Sequence, residues 1–162
     1  MKTLIVYYSY TGNTRAVAET IRPVTGADML RLVPNHEKKM TGFMKYLWGG
    51  KQVLMNRTPE LEPFKIDPGQ YDLIFLGSPV WAFTFAPAMR SFLEQTAIRD
   101  KKIALFCCHA GGVGKIFRNF QKALPDNECR GTFDLYEPLS HRRDTSLMRA
   151  RDWAASVISK CV

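Results

Sequence analysis

Five short apolar runs, each followed by a stretch with helical spacing, constrain this chain more than any other feature of its sequence. The runs cover residues 3–8, 29–33, 72–77, 102–107 and 132–136 and are rich in Val, Ile, Leu and Phe. The stretches that follow them, residues 13–21, 43–55, 86–95, 114–124 and 146–160, carry the helical pattern. A strand that is apolar along its length must be covered on both faces, which flanking helices achieve in a parallel sheet. The βα repeats therefore predict an α/β three-layer sandwich around a five-stranded parallel sheet. Pro23 is expected to end the first helix, and Pro87 suits the first turn of the third, where no N–H is needed. Leu147, Ala150, Ala154, Val157 and Ile158 line one face of the last helix. Residues 34–71, punctuated by Pro34, Gly42, Gly49, Gly50, Pro59, Pro63, Pro68 and Gly69, predict one helix followed by an irregular stretch.

A chain of 162 residues can bury about two-thirds of its unfolded surface, enough for one core, so residues 1–162 are read as one domain. The composition, 46% apolar and 23% charged, suits a water-soluble globular protein, and no apolar run approaches the roughly 20 residues of a membrane span. The apolar run after Met1-Lys2-Thr3 is too short for a secretory leader, which predicts a cytoplasmic location. Cys107, Cys108, Cys129 and Cys161 lack CxxC pairing and zinc-site spacing. They are read as reduced thiols, with a strained bond between adjacent Cys107 and Cys108 as the alternative. The net charge of +8 is concentrated in two segments. Residues 31–65 hold Arg31, Lys38, Lys39, Lys45, Lys51, Arg57 and Lys65, and residues 140–151 hold Arg142, Arg143, Arg149 and Arg151. Such a balance points to acidic partners and is silent on the fold.

Ligands of open parallel sheets collect beyond the carboxyl ends of the strands, so the turn Ser9-Tyr10-Thr11-Gly12-Asn13-Thr14 is the first candidate site. Gly12 permits a tight turn, the hydroxyls of Ser9, Thr11 and Thr14 can hydrogen-bond a ligand, and the helix N-terminus behind them favours an anion. One capping residue would suffice to start a helix. Three Ser and Thr hydroxyls, an amide and a glycine in six positions exceed that need and point to a phosphate.

The pattern Ser/Thr-x-Thr-Gly-x-Thr directly after the first strand resembles the FMN-phosphate loop of the flavodoxin family. The resemblance implies a sheet of order 2-1-3-4-5, FMN as cofactor, and two further loops around the flavin ring. Gly77-Ser78-Pro79-Val80-Trp81-Ala82-Phe83 resembles the second of these. It implies that Ser78, Pro79, Val80, Trp81, Ala82 and Phe83 bind the cofactor, with the Trp81 indole against the ring. Cys108, His109, Ala110, Gly111 and Gly112 are similar to the third loop, whose main-chain N–H groups would meet flavin O2, N3 and O4. Many members carry an aromatic residue in that loop and this chain has none, so one ring face is open or covered by Trp48 or Phe83. No glycine lies between Ser78 and Phe85, where well-known members turn a glycine peptide toward reduced N5. Strong stabilisation of the one-electron-reduced flavin is accordingly not expected. Residues 34–71 and the basic charge also depart from the family pattern.

Rival sites fail on spacing. Gly111-Gly112-Val113-Gly114-Lys115 is no nucleotide P-loop, because His109 and Ile116 stand where Gly and Ser or Thr are required. A receiver domain needs acidic residues where this chain has Ser9 and Ser78, and a Cys-x5-Arg phosphatase needs Arg where Val113 and Gly114 stand. No Ser-His-Asp set or metal cluster can be assigned, and no catalytic residue is named. His109 is either a proton donor near the flavin or substrate, or a loop histidine with local hydrogen bonds.

These features predict an FMN-binding, flavodoxin-like electron-transfer protein with an acidic redox partner protein. The alternative is an FMN-dependent oxidoreductase acting on a quinone, a porphyrinogen or a similar planar substrate. A flavin-free module that uses its basic surface on DNA or RNA is not expected, and would require steeply salt-dependent binding. Positive charge favours the anionic, fully reduced flavin. One unit charge at ~10 Å contributes roughly 0.4 kcal/mol in a water-like dielectric and ~1.7 kcal/mol at an effective dielectric of about 20. The second reduction step is thus expected to be less difficult than in an acidic relative.

Overall fold

The computed structural model describes residues 1–35 and 58–161. The helix expected over residues 43–55, and Trp48 with it, lies outside the described residues. Along the chain run β1 (Thr3–Tyr7), α1 (Asn13–Thr25), β2 (Asp28–Arg31), β3 (Leu73–Trp81), β4 (Thr84–Phe85) and α2 (Pro87–Gln95). There follow β5 (Lys102–His109), α3 (Ile116–Ala123), β6 (Glu128–Tyr136) and α4 (Arg143–Ser159).

The sheet order is β2-β1-β3-β5-β6, with every neighbour on that path parallel. The short β4 folds back antiparallel on the end of β3, an addition the sequence did not announce. Without it, the parallel strands follow the expected order 2-1-3-4-5. Alternate residues of each central strand enter opposite halves of the core. Leu4, Val6, Ile74, Leu76 and Leu105 pack against Met89 and Phe92 of α2 and Ile116 and Phe120 of α3. Ile5, Leu73, Phe75 and Phe106 pack against Val17, Ala18 and Ile21 of α1 and Ala150, Ala154 and Val157 of α4. Burial on both faces is why these runs read as continuous apolar segments, and each fully buried large side chain contributes about 1.5–3 kcal/mol.

Of the boundaries that differ from expectation, four have a clear physical cause. First, α1 continues through Pro23 to Thr25. The Thr25 hydroxyl donates to the carbonyls of Ile21 and Arg22, and the left-handed Gly26 at the end returns its N–H to Arg22 O at 3.0 Å. These bonds satisfy the last turn despite the missing proline donor. Second, β3 extends past Gly77 to Trp81, because Gly77 is not a turn residue. A Cβ there would lie 2.1 Å from the Phe106 ring of its β5 partner. Third, β5 extends to His109 in register with β6, which places Cys108 and His109 in a strand. Fourth, β6 begins at Glu128 rather than Thr132. It is a half-exposed edge strand with an irregularity opposite Ile103 and Ala104, so its first half shows no apolar run.

Adjacent Cys107 and Cys108 point to opposite faces of β5, one into each half of the core, and all four cysteines are free thiols. The pleat itself keeps the neighbouring sulfurs apart. Burial pushes the Cys108 thiol up to about 12, partly countered by a hydrogen bond from Thr14. Burial raises the Cys107 thiol as well. No helix among the described residues is long and apolar enough to cross a membrane.

Candidate functional site

The parallel register brings the carboxyl ends of β1, β3 and β5 to one edge, with Tyr7 beside Gly77 and Pro79 beside Cys108. The three loops singled out in the sequence leave from that edge.

In the β1–α1 turn, Gly12 is the N-cap of α1 in the left-handed region, with φ at +97° and no side-chain cap. Its own carbonyl accepts from Ala16 N–H at 2.9 Å, and Ser9 Oγ accepts from Arg15 N–H at 3.1 Å. Among the described residues, the N–H groups of Gly12, Asn13 and Thr14 are left without an acceptor. They form a cradle of donors at the positive end of a thirteen-residue helix. The hydroxyls of the turn divide. Thr11 is exposed and accepts from Asn13 Nδ2 at 3.0 Å. Ser9 and Thr14 are buried, and the Thr14 hydroxyl meets the Cys108 thiol beneath the turn. A phosphate monoester fits this cradle: it needs several N–H donors from a turn that approaches closely, and Gly12 has no Cβ to obstruct it.

In the second segment, Val80 and Trp81 are the last residues of β3 and pair with Phe85 and Thr84 of β4. The two-residue connection is Ala82-Phe83, both at positive φ, 45° and 66°. Such hairpin turns ordinarily use Asn or Gly, and each L-residue held there costs about 1–2 kcal/mol. The hairpin leaves Phe83 at the tip with 73% of its surface exposed. Trp81 is half-buried, with Tyr8 and Tyr10 packed edge-on against it at centroid distances of 5.6 Å each. An indole fixed by two rings suits a planar ligand, because its orientation is set before binding. Ser78 is fully buried, and its hydroxyl accepts from Ala86 N–H at 2.9 Å and donates to Pro79 O. It anchors the hairpin root within the core.

The third segment begins with Cys108 and His109, which end β5, and continues through the exposed Ala110, Gly111 and Gly112. Gly112 has φ at +125° and donates its N–H to His109 Nδ1 at 3.0 Å. This bond assigns the imidazole proton to Nε2, which lies 3.0 Å from Asp134 Oδ2 of β6. Further along, Lys115 N–H donates to Phe83 O at 2.7 Å and Asn119 Nδ2 donates to Thr84 Oγ1 at 2.8 Å. The start of α3 thereby locks the third segment to the hairpin of the second.

Several contributors were not singled out in the sequence. Tyr8 packs on Trp81, Asp134 orients His109, and Gly114 admits the hairpin. The loop after β6 crosses toward the first turn, where Leu139 N–H donates to Asn13 Oδ1 at 2.9 Å. Asp134 was hidden because aligning the ends of the fourth and fifth expected strands sets it opposite Leu105, whereas the observed register sets it opposite Cys107, next to His109. The Leu139 contact has no sequence signal. No group of His, Cys, Asp or Glu among the described residues is arranged to hold a metal ion.

A family model described as flavodoxin matches residues 2–141. No curated protein matches the chain. Among solved structures, a flavoprotein from Lactobacillus acidophilus in complex with FMN is 28% identical, with a TM-score of 0.70 over 82% of this chain and 92% of that one. A provisionally assigned flavoprotein from Bacteroides eggerthii is 25% identical, with a TM-score of 0.73 over 97% and 98% of the two chains. A flavodoxin from the domain Archaea, 14% identical, shares the fold with a TM-score of 0.61 over 99% of each chain.

Proposed function

This chain belongs to the flavodoxin family, and from that premise we propose that it is a single-domain, FMN-binding electron-transfer protein. The observation that carries the proposal is the uncapped N-terminus of α1 behind the left-handed Gly12, on the same sheet edge as the oriented Trp81. The FMN complex of the Lactobacillus acidophilus neighbour supports the cofactor assignment. When bound, FMN supplies one- and two-electron transfer, while the protein supplies anchoring, orientation and electrostatics.

Each loop then has a task. The N–H groups of Gly12, Asn13 and Thr14, with the Thr11 hydroxyl, hold the phosphate. Trp81 and Val80 support one side of the ring, Ala82 and Phe83 close over its edge, and the main-chain donors of Ala110 and Gly111 meet its polar rim from a loop that the His109–Gly112 bond fixes. Ser9, Ser78 and Cys108 act from beneath, as turn anchor, hairpin anchor and packing under Thr14. Tyr10 and Pro79 hold Trp81 and the strand end in place. The charge of +8 favours an acidic redox partner protein.

A second reading is favoured by the exposed, aromatic-free Ala110–Gly112 segment, which leaves room for a planar substrate on the ring. On that reading the protein is an FMN-dependent oxidoreductase acting on a quinone or porphyrinogen. Steady-state turnover separates the two: an enzyme oxidises NAD(P)H with a quinone unaided, whereas a carrier needs a protein partner. The cofactor itself is tested by purification. A yellow protein that releases FMN on denaturation supports the proposal, and a colourless one that takes up no flavin overturns it.

A further inference from the structure

His109 joins three parts of the structure. It ends β5, contacts Asp134 on β6, and accepts the N–H of Gly112 in the loop that follows. Nδ1 can accept only while it carries no proton, and Nε2 can donate to Asp134 only while it carries one. The neutral Nε2–H ring is therefore the single form that makes both bonds. A second proton would place a donor on Nδ1 against the Gly112 N–H, and that bond would break. The charged and titratable groups around the ring come from every neighbouring element. Asp134 and Tyr136 belong to β6, His141 and Arg142 to the loop after it, and Arg149 to α4, all lining one open cavity of 530 Å³ with His109.

We infer that His109 is a positioning residue for the β5–α3 loop: its neutral form holds Gly112 in the left-handed conformation that presents the loop to a ligand, and protonation releases it. The consequence for flavin affinity rests on the ring placement proposed above. FMN should bind more weakly once His109 is charged, by about five- to tenfold for one lost hydrogen bond and the accompanying loop disorder.

Two substitutions divide the functions of the ring. In His109→Asn, Oδ1 stands near the place of Nδ1 and accepts from Gly112 without ever taking a proton. In His109→Gln, the amide reaches toward Asp134 and the Gly112 acceptor is lost. The first measurement uses isotope-labelled, flavin-free protein between about pH 8 and about pH 5, the range in which histidine ionises. The Gly112 amide proton is expected to shift upfield with the same midpoint as the His109 ring. It should stay in its bonded position throughout in His109→Asn and be shifted throughout in His109→Gln. A Gly112 amide indifferent to His109 ionisation overturns the inference. The second measurement is the FMN dissociation constant over the same range. The phosphate's own ionisation near about pH 6 acts alike on all variants. The wild-type constant is expected to rise about five- to tenfold more than that of His109→Asn, and parallel profiles overturn the link to affinity. Failure to bind FMN at any pH would contradict the function proposed above, whereas the flavin-free measurement decides the role of His109 independently.

Discussion

Gly114 and Phe83 approach so closely that a Cβ on Gly114 would lie 2.7 Å from the Phe83 Cα, Cβ and carbonyl oxygen. Neither side can yield easily, since Phe83 is fixed in a tight turn and Lys115 N–H holds its carbonyl at 2.7 Å. Gly114 also has φ at +55°. Gly114→Ala is expected to cost about 2–4 kcal/mol, combining left-handed strain with overpacking. Chemical denaturation should show the loss, together with weaker FMN uptake because the hairpin and the third loop share this contact. Unchanged stability would mean that the two loops are not locked.

The opposite sign is expected at Ala82. Its φ of 45° suits glycine, so Ala82→Gly relieves left-handed strain against a smaller entropic cost. A net gain of about 0.5–1 kcal/mol follows, which for a chain of this size raises the melting temperature by roughly 1–4 °C. A lower melting temperature would contradict the turn geometry.

These two positions show what the sequence conceals. The βα repeat was legible because central strands buried on both faces announce themselves, whereas the strand order came only from the resemblance carried by the loops. The β3–β4 hairpin was not, because Ala82-Phe83 is no turn dipeptide and Gly77-Ser78-Pro79 resembles a turn while lying in a strand. The glycine is there for the Phe106 ring, and the proline is tolerated beyond the last residue paired to β1. The first loop was legible as a tight turn into a helix N-terminus from its glycine and its position. Which hydroxyls face outward was not, because Thr14 turning to Cys108 depends on a residue distant in sequence.

Trp81→Ala removes the surface against which the ring would rest while leaving the phosphate cradle intact. FMN affinity is expected to fall at least about tenfold, with a loss of roughly 1.5–3 kcal/mol from burial and stacking. Fluorescence titration checks this, and an unchanged dissociation constant would place the ring elsewhere.

The buried Cys108 thiol makes a pH prediction. Its folded value of about 12 lies above the ordinary thiol value, so the unfolded chain releases this proton first as pH rises. The stabilisation is complete below about pH 8.5 and is lost between there and about pH 12, at up to roughly 1.4 kcal/mol per pH unit. Cys108→Ala should make this alkaline decline shallower in urea melts, leaving the part that the buried Cys107 thiol contributes. A wild-type profile level across that range would contradict the burial of the thiol.

Charge-assisted hydrogen bonds to a phosphate contribute roughly 1.5–3 kcal/mol each, and riboflavin lacks the phosphate altogether. Titrating the flavin-free protein with FMN and with riboflavin therefore tests the β1–α1 cradle directly. FMN is expected to bind at least about 100-fold more tightly, as two such bonds would give at the lower end of that range. Equal affinity for both compounds, or none for either, would contradict the account.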